Sequence, residues 1–230
     1  MDQRLSRRDA RTTAWLYLAM AVTGMAGFLT VRPRLYDAAD PGATTANLVD
    51  GELLARLGIS LELGLVISQA LAALWFYRLF RSVDAFAAGA VAAFGTVNAI
   101  AVLGSAAALG VSLETALAGD AAAPHLMFLL AENFWAVGAV FFGLWLVPMG
   151  VLALRSGMPR ALGWFLVGGG VGYVLSAFVG YLAPAADAVA EVLTIPATIG
   201  EFWMIALLLW IGFRPAPAES PGTRETVLES

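Results

Sequence analysis

The chain has 230 residues, 60% of them hydrophobic and 13% charged, against roughly 45–50% and about 25% in ordinary soluble domains. That composition marks a bilayer protein with room for about six or seven spans of roughly 20 residues and none for a separate soluble domain, and the net charge of −4 says less than where the positive charges fall. With no cysteine, no lysine among its 13 basic residues and His125 as its only histidine, the chain cannot build a disulfide, a Schiff base, a P-loop, a bis-histidine haem or a Cys/His metal site, so no cofactor, metal or nucleic-acid partner is expected.

Arg4, Arg7, Arg8 and Arg11 precede an apolar run from Thr13 to Val31. The run is longer than a signal-peptide core and has no small-x-small cleavage site after it, so it reads as an uncleaved span, with Ser6-Arg7-Arg8 as anchoring charge rather than a twin-arginine signal. From Arg32 to Arg56 the composition turns polar. This is the longest loop, and its second half, Thr44 to Leu54, has the spacing of a short interfacial helix. Spans then follow from Leu57 to Phe80 and from Val83 to Gly110. A loop around Glu114, Asp120 and Pro124 leads to a hairpin of two long apolar arms, His125 to Leu175, that turns at Arg155 to Arg160. The sixth span is expected to start near Pro196 and end before Arg214. The expectation is an all-α polytopic membrane protein: an Arg-rich terminus over 1–12, six transmembrane helices within 13–213, and a Pro/Ser/Glu-rich tail over 214–230 that reads as disordered.

Six spans put both termini on one side. With an internal N-terminus, ten arginines fall in cytoplasmic segments and three, Arg32, Arg34 and Arg56, in outer ones. That bias predicts N-in, C-in topology in the cell membrane. Gly168, Gly172, Ser176 and Gly180 recur at every fourth position of the fifth span and predict a small-residue packing ridge. The glycine run from 168 to 172 lacks the flanking strand of a nucleotide loop.

Chemistry, if any, lies with buried polar groups. Glu62, Glu132 and Glu201 each fall about five residues into a span that descends from outside, a common depth of roughly 7–8 Å at 1.5 Å per residue. They are therefore expected to converge on one cavity as catalytic carboxyls, with Gln69, Asn98, Asn133, Trp135, Tyr173 and Trp203 as ligand-binding neighbours. Trp135 shares a helical face with Glu132, whereas Trp203, only two residues after Glu201, falls to one side. The plain alternative is that the glutamates are protonated interhelical glue and the aromatics, with His125, are packing or interface residues. The glutamate spacings of 70 and 69 residues hint at a threefold two-helix repeat, on a match too short to be specific.

Phe141-Phe142-Gly143-Leu144-Trp145-Leu146, Gly150, the turn from Leu154 to Gly163 containing Arg155-Ser156-Gly157-Met158-Pro159-Arg160, Gly170-Val171-Gly172-Tyr173 and Pro196 to Glu201 resemble the bacterial membrane family catalogued as domain of unknown function 4386. The resemblance runs from the first span to about Gly212. It implies a six-span fold and no particular activity.

Two functional classes follow from the buried carboxyls, with a structural membrane partner as the third. One is an intramembrane site, enzymatic or not, for an apolar small molecule such as an isoprenoid or lipid, where an acidic carboxyl and aromatic faces suit acid-initiated cyclase or isomerase chemistry. The other is a small proton- or cation-coupled transporter or its associated subunit. Membrane lipid is the expected surrounding partner, and the sequence leaves oligomeric state open.

Overall fold

The structure is a computed structural model and describes residues 5–214; the tail read as disordered, and Arg4 and Arg224, lie outside them. Among the described residues, six helices are long and apolar enough to cross a membrane. The first runs from Arg7 to Leu35 as α1 (Arg7–Met25), a π-helical stretch (Ala26–Val31) and α2 (Arg32–Leu35). Next come the short α3 (Pro41–Asp50), then α4 (Glu52–Phe80), α5 (Ala85–Leu117), α6 (Ala123–Arg155), α7 (Arg160–Leu182) and α8 (Asp187–Phe213).

Each span packs against its neighbours in the chain, and α8 packs back against α1, which closes the six into a ring. One end of the ring carries the termini and the other carries α3. At the α3 end, Leu48 of α3 is fully buried and clusters with Val31, Leu35, Leu113 and Ala116. The long loop therefore does hold a short helix, over Pro41–Asp50 rather than Thr44 to Leu54, whose last residues open α4, and it packs over that end. At the terminal end the ring is filled: Trp145, fully buried, meets Tyr17 and Phe76 edge-on, each at 5.7 Å between centroids, and those two rings meet at 5.2 Å.

Close helix approach explains many of the glycines, in a different register from the expected ridge. A Cβ on Gly150 would lie 2.6 Å from the Gly163 carbonyl oxygen, and one on Gly170 2.6 Å from that of Gly143. The α6–α7 seam thus has glycine facing glycine at two levels seven residues apart. On the other face of α7, Gly169 and Gly172 press against Ala197 and Leu193 of α8, whereas Gly168 and Gly180 have open space above them. Within hydrocarbon there is no apolar transfer gain between helices, so such contact, by dispersion and backbone proximity, is what holds neighbours together.

The turn carrying Ser156-Gly157-Met158-Pro159 is a helix stop. Gly157 adopts φ +81°, Ser156 N–H donates to Leu152 O at 2.9 Å, and Met158 N–H returns to Ala153 O at 3.3 Å. Pro159 then caps α7. This is the Schellman pattern, in which only glycine enters the left-handed position cheaply. Gly119, φ +80°, ends α5 in the same way, with Asp120 N–H bonded to Thr115 O at 3.0 Å.

The second span starts at Glu52 rather than Leu57, and the third runs on to Leu117, so Glu114 is helical rather than in a loop. Two further boundaries differ from the sequence reading, and both bear on the site. The first span continues beyond Val31, so Arg32 is inside the helix rather than in the loop. The sixth begins at Asp187 rather than near Pro196, which lies within the helix. Proline removes one N–H but does not stop a membrane helix whose neighbours support the freed carbonyl, and the residues from Ala188 to Ile195 are apolar enough to extend it.

Candidate functional site

Those two boundaries separate carboxyls that were expected to meet. Glu201 lies 14 residues after Asp187, whereas Glu62 lies 10 after Glu52 and Glu132 nine after Ala123. At about 1.5 Å per residue Glu201 is therefore about 6–8 Å deeper than the other two. The common depth does not hold.

Glu62 and Glu132 meet on Arg32. Arg32 is 7% exposed; its Nη2 donates to Glu62 Oε1 at 2.5 Å and to Ser105 Oγ at 2.8 Å, and its Nη1 pairs with Glu132 Oε1. The guanidinium carbon lies 5.5 Å from the ring centres of both Phe28 and Trp135, and Trp135 Nε1 donates to Glu62 Oε1 at 3.3 Å. The π-helical stretch helps to place the arginine. Arg32 N–H bonds to Gly27 O, five residues back, a wider turn than an α-helix makes, and Val31 and Arg32 both end up buried. Pro33, which has no N–H to give, follows directly. An arginine and two carboxylates at this depth are each costly alone, and pairing with an added hydroxyl and two ring faces offsets much of that cost.

Glu201 has a different partner and different surroundings. Tyr17 O–H donates to its Oε1 at 2.6 Å. Arg32 follows Tyr17 by 15 residues in one continuous span, about 20 Å along the helix. Glu201 and Tyr17 line a cavity of about 350 Å³ that also has Gln69, Asn98, Trp135, Phe142, Tyr173 and Thr198 in its wall. All six spans contribute to it. Met25, Phe28, Leu29 and Phe202, on α1, the π-helical stretch and α8, line the same cavity and are exposed on the outer surface of the ring. The cavity wall thus reaches the outer surface of the ring on the α1 and α8 side.

Beyond Trp135, Phe142 and Tyr173, which border both, a second cavity of about 440 Å³ reaches Glu132, whose side chain is 42% exposed. Tyr173 meets Phe142 edge-on at 4.8 Å. Among the residues the sequence singled out, Gln69, Asn98, Trp135, Tyr173 and Glu201 thus share one cavity. Glu62 is withdrawn into the arginine cluster, and Glu132 divides between that cluster and the second cavity. Asn133 lies outside both cavities, where it accepts from Tyr181 O–H at 3.0 Å and donates to Leu129 O. Trp203 packs near Phe165, 6.4 Å between centroids, off to the side of Glu201 as its spacing indicated, and lines neither cavity.

Tyr17, Phe28, Arg32 and Phe142 were not anticipated in the sequence. Tyr17 was a readable signal, a hydroxyl in the middle of the first apolar run. Arg32 was not, because an arginine beside a proline at the end of a hydrophobic run has the look of a flanking charge. Among the described residues no group of three His, Cys, Asp or Glu side chains is placed to hold a metal ion.

Residues 12–212 match the family described as "Domain of unknown function (DUF4386)", and the chain belongs to that family. No curated protein and no solved structure matches it.

Proposed function

We propose that this member of the DUF4386 family binds, within the bilayer, a largely apolar molecule with one polar end, admitted sideways between α1 and α8. The observation that carries this reading is the cavity at Glu201: apolar and aromatic over most of its wall, polar at a few convergent points, and bordered by exposed apolar side chains of the first span and α8. The Tyr17–Glu201 hydrogen bond supplies an acid–base couple there, and Trp135, Phe142 and Tyr173 present ring faces. Both suit acid-initiated isomerase or cyclase chemistry on an isoprenoid-like substrate. Coupled transport is the second reading. Its support is the π-helical stretch beside the arginine cluster, since irregular helix at membrane depth marks many transport sites.

The test is chemical. Organic extracts of the purified protein should contain an apolar compound in near-equal amount to the chain. Ala21→Phe, which fills the cavity, and Glu201→Gln, which keeps its shape, should both lose that compound while melting like the parent. Retention of the same compound by both variants would overturn the reading.

The orientation proposed for this fold is N-in, C-in in the cell membrane. Arg32 belongs to the buried cluster, so of the three arginines assigned outside only Arg34 and Arg56 remain as surface charges, which sharpens the bias. Reporter fusions after Phe80 and Arg155 should read as cytoplasmic and a fusion at Asp120 as external; a cytoplasmic signal at Asp120 reverses the assignment.

A further inference from the structure

Gln69 of α4 is 1% exposed, lines the Glu201 cavity, and leaves its Nε2 without any hydrogen-bond partner. A buried donor in that state destabilises the fold, and in hydrocarbon surroundings no lipid tail can relieve it. Methionine or leucine would fill similar space at no such cost. A group retained at a loss to the folded state invites a partner that comes and goes.

The surroundings restrict what that partner is. The cavity wall holds one carboxyl, that of Glu201, and no arginine. An anionic headgroup would therefore find repulsion and no counter-ion. The nearest cation, Arg32, is already committed to Glu62, Glu132 and Ser105. A vacant N–H donor with no uncommitted cation in the cavity wall fits a neutral acceptor oxygen. Asn98, on the adjacent α5, lines the same cavity and contributes a second amide to its wall.

Resting on the reading of this cavity as a ligand site, we propose that Gln69 Nε2, turned into the cavity by rotation of its side-chain amide, is the specificity-determining donor for the carbonyl oxygen of a neutral, otherwise apolar molecule of the ketone or quinone class.

The probes are a matched pair, menadione (2-methyl-1,4-naphthoquinone) and 2-methylnaphthalene, which share a ring system and differ in the two carbonyls. The chain has no cysteine, so the quinone has no thiol to react with. Equilibrium dialysis against the purified full chain in detergent compares the parent with Gln69→Met, Gln69→Leu and Ala21→Phe. Partition into micelles cancels between proteins. Menadione should bind the parent about tenfold more tightly than either Gln69 variant, about 1.4 kcal/mol. 2-Methylnaphthalene should bind all three alike, and Ala21→Phe should lose both probes. The Gln69 variants should melt no lower than the parent without ligand. Difference infrared spectra with ¹³C-carbonyl menadione add a measurement on the parent alone, in which the bound carbonyl stretch should move down from its position in hexane.

Equal menadione affinity in parent and Gln69 variants, or an unshifted carbonyl stretch, overturns the proposal while loss of both probes from Ala21→Phe still upholds the cavity. Gln69 variants that melt lower or fail to fold make Gln69 a structural residue and count against it. Probe binding that survives in Ala21→Phe, or no binding of either probe to the parent, overturns the cavity reading itself.

Discussion

The Arg32 cluster and the Glu201 cavity lie in one ring of helices and treat a carboxyl at membrane depth in opposite ways. Near the α3 end, Glu62 and Glu132 each pair through Oε1 with a cation, which a hydroxyl and an indole N–H join, while Glu62 Oε2 stays buried without a partner. Deeper in, Glu201 has one neutral partner, Tyr17, and faces open space. The cluster's cation is fully committed, whereas the Glu201 carboxyl is not matched by any cation in its cavity wall, and on the reading proposed above the first region serves as scaffold and the second as ligand site.

The largest effect should come from breaking the scaffold. Arg32→Leu removes the cation and leaves Glu62, with a side chain only 6% exposed, uncompensated. Removing one partner of a buried pair costs about 3–5 kcal/mol. Denaturation midpoints in detergent should fall accordingly, and Arg32→Leu combined with Glu62→Leu should recover most of the loss, since the unpaired charge is then gone. A single variant as stable as the parent would erase the distinction between the two regions.

A middling effect should separate two tryptophans. Trp135 belongs to both regions: its ring lies under Arg32, its Nε1 bonds Glu62, and its other surface walls the cavity. Trp203 belongs to neither. Both are large, partly buried rings, so Trp135→Leu and Trp203→Leu should each cost about 1–3 kcal/mol. Only Trp135→Leu should also release the compound extracted with the parent. If Trp203→Leu releases it as fully, the cavity wall is drawn in the wrong place.

Which parts of this were legible in sequence follows from what each signal measures. Hydropathy integrates over about 20 residues, so span number and a short helix in the long loop could be read, and the turn at Gly157 was recognisable because left-handed backbone restricts residue choice. Gln69, Asn98, Trp135 and Tyr173 could be named because polar or amphipathic side chains inside apolar runs stand out. What failed was phase and depth. The start of α8 was placed at Pro196 because proline usually marks a helix start, and that one boundary moved Glu201 to a false common level. Arg32 was misread for a related reason, since one extra residue in a π-helical turn reorients a side chain without altering composition at all. The glycine ridge failed on phase as well: a four-residue spacing was visible, whereas the contacts at the α6–α7 seam repeat every seven.

The smallest effect is expected at Asp120, and it tests whether the two regions are independent of the loop that precedes their shared helix. α6 carries both Glu132 and Trp135, and Asp120 caps its start by accepting from Ala122 N–H and Ala123 N–H, each at 2.8 Å. Those two hydrogen bonds favour the ionised carboxylate and hold its pKa below the ordinary 3.8. For a carboxyl lowered on folding, the stabilisation is complete above its unfolded value and is lost as pH falls through the lower folded value, so the cap is intact at neutral pH and opens only in acid below 3.8. The group is fully exposed, which keeps its influence local. Asp120→Ala, which removes the acceptor, should therefore open the cap at about pH 7, with faster amide hydrogen exchange confined to the first turn of α6. Denaturation midpoint and retained ligand should match the parent. Faster exchange extending to Trp135, or loss of the ligand, would mean that α6 passes strain from the loop into the cavity. The arginine cluster would then be a coupling element between surface and site rather than a fixed support.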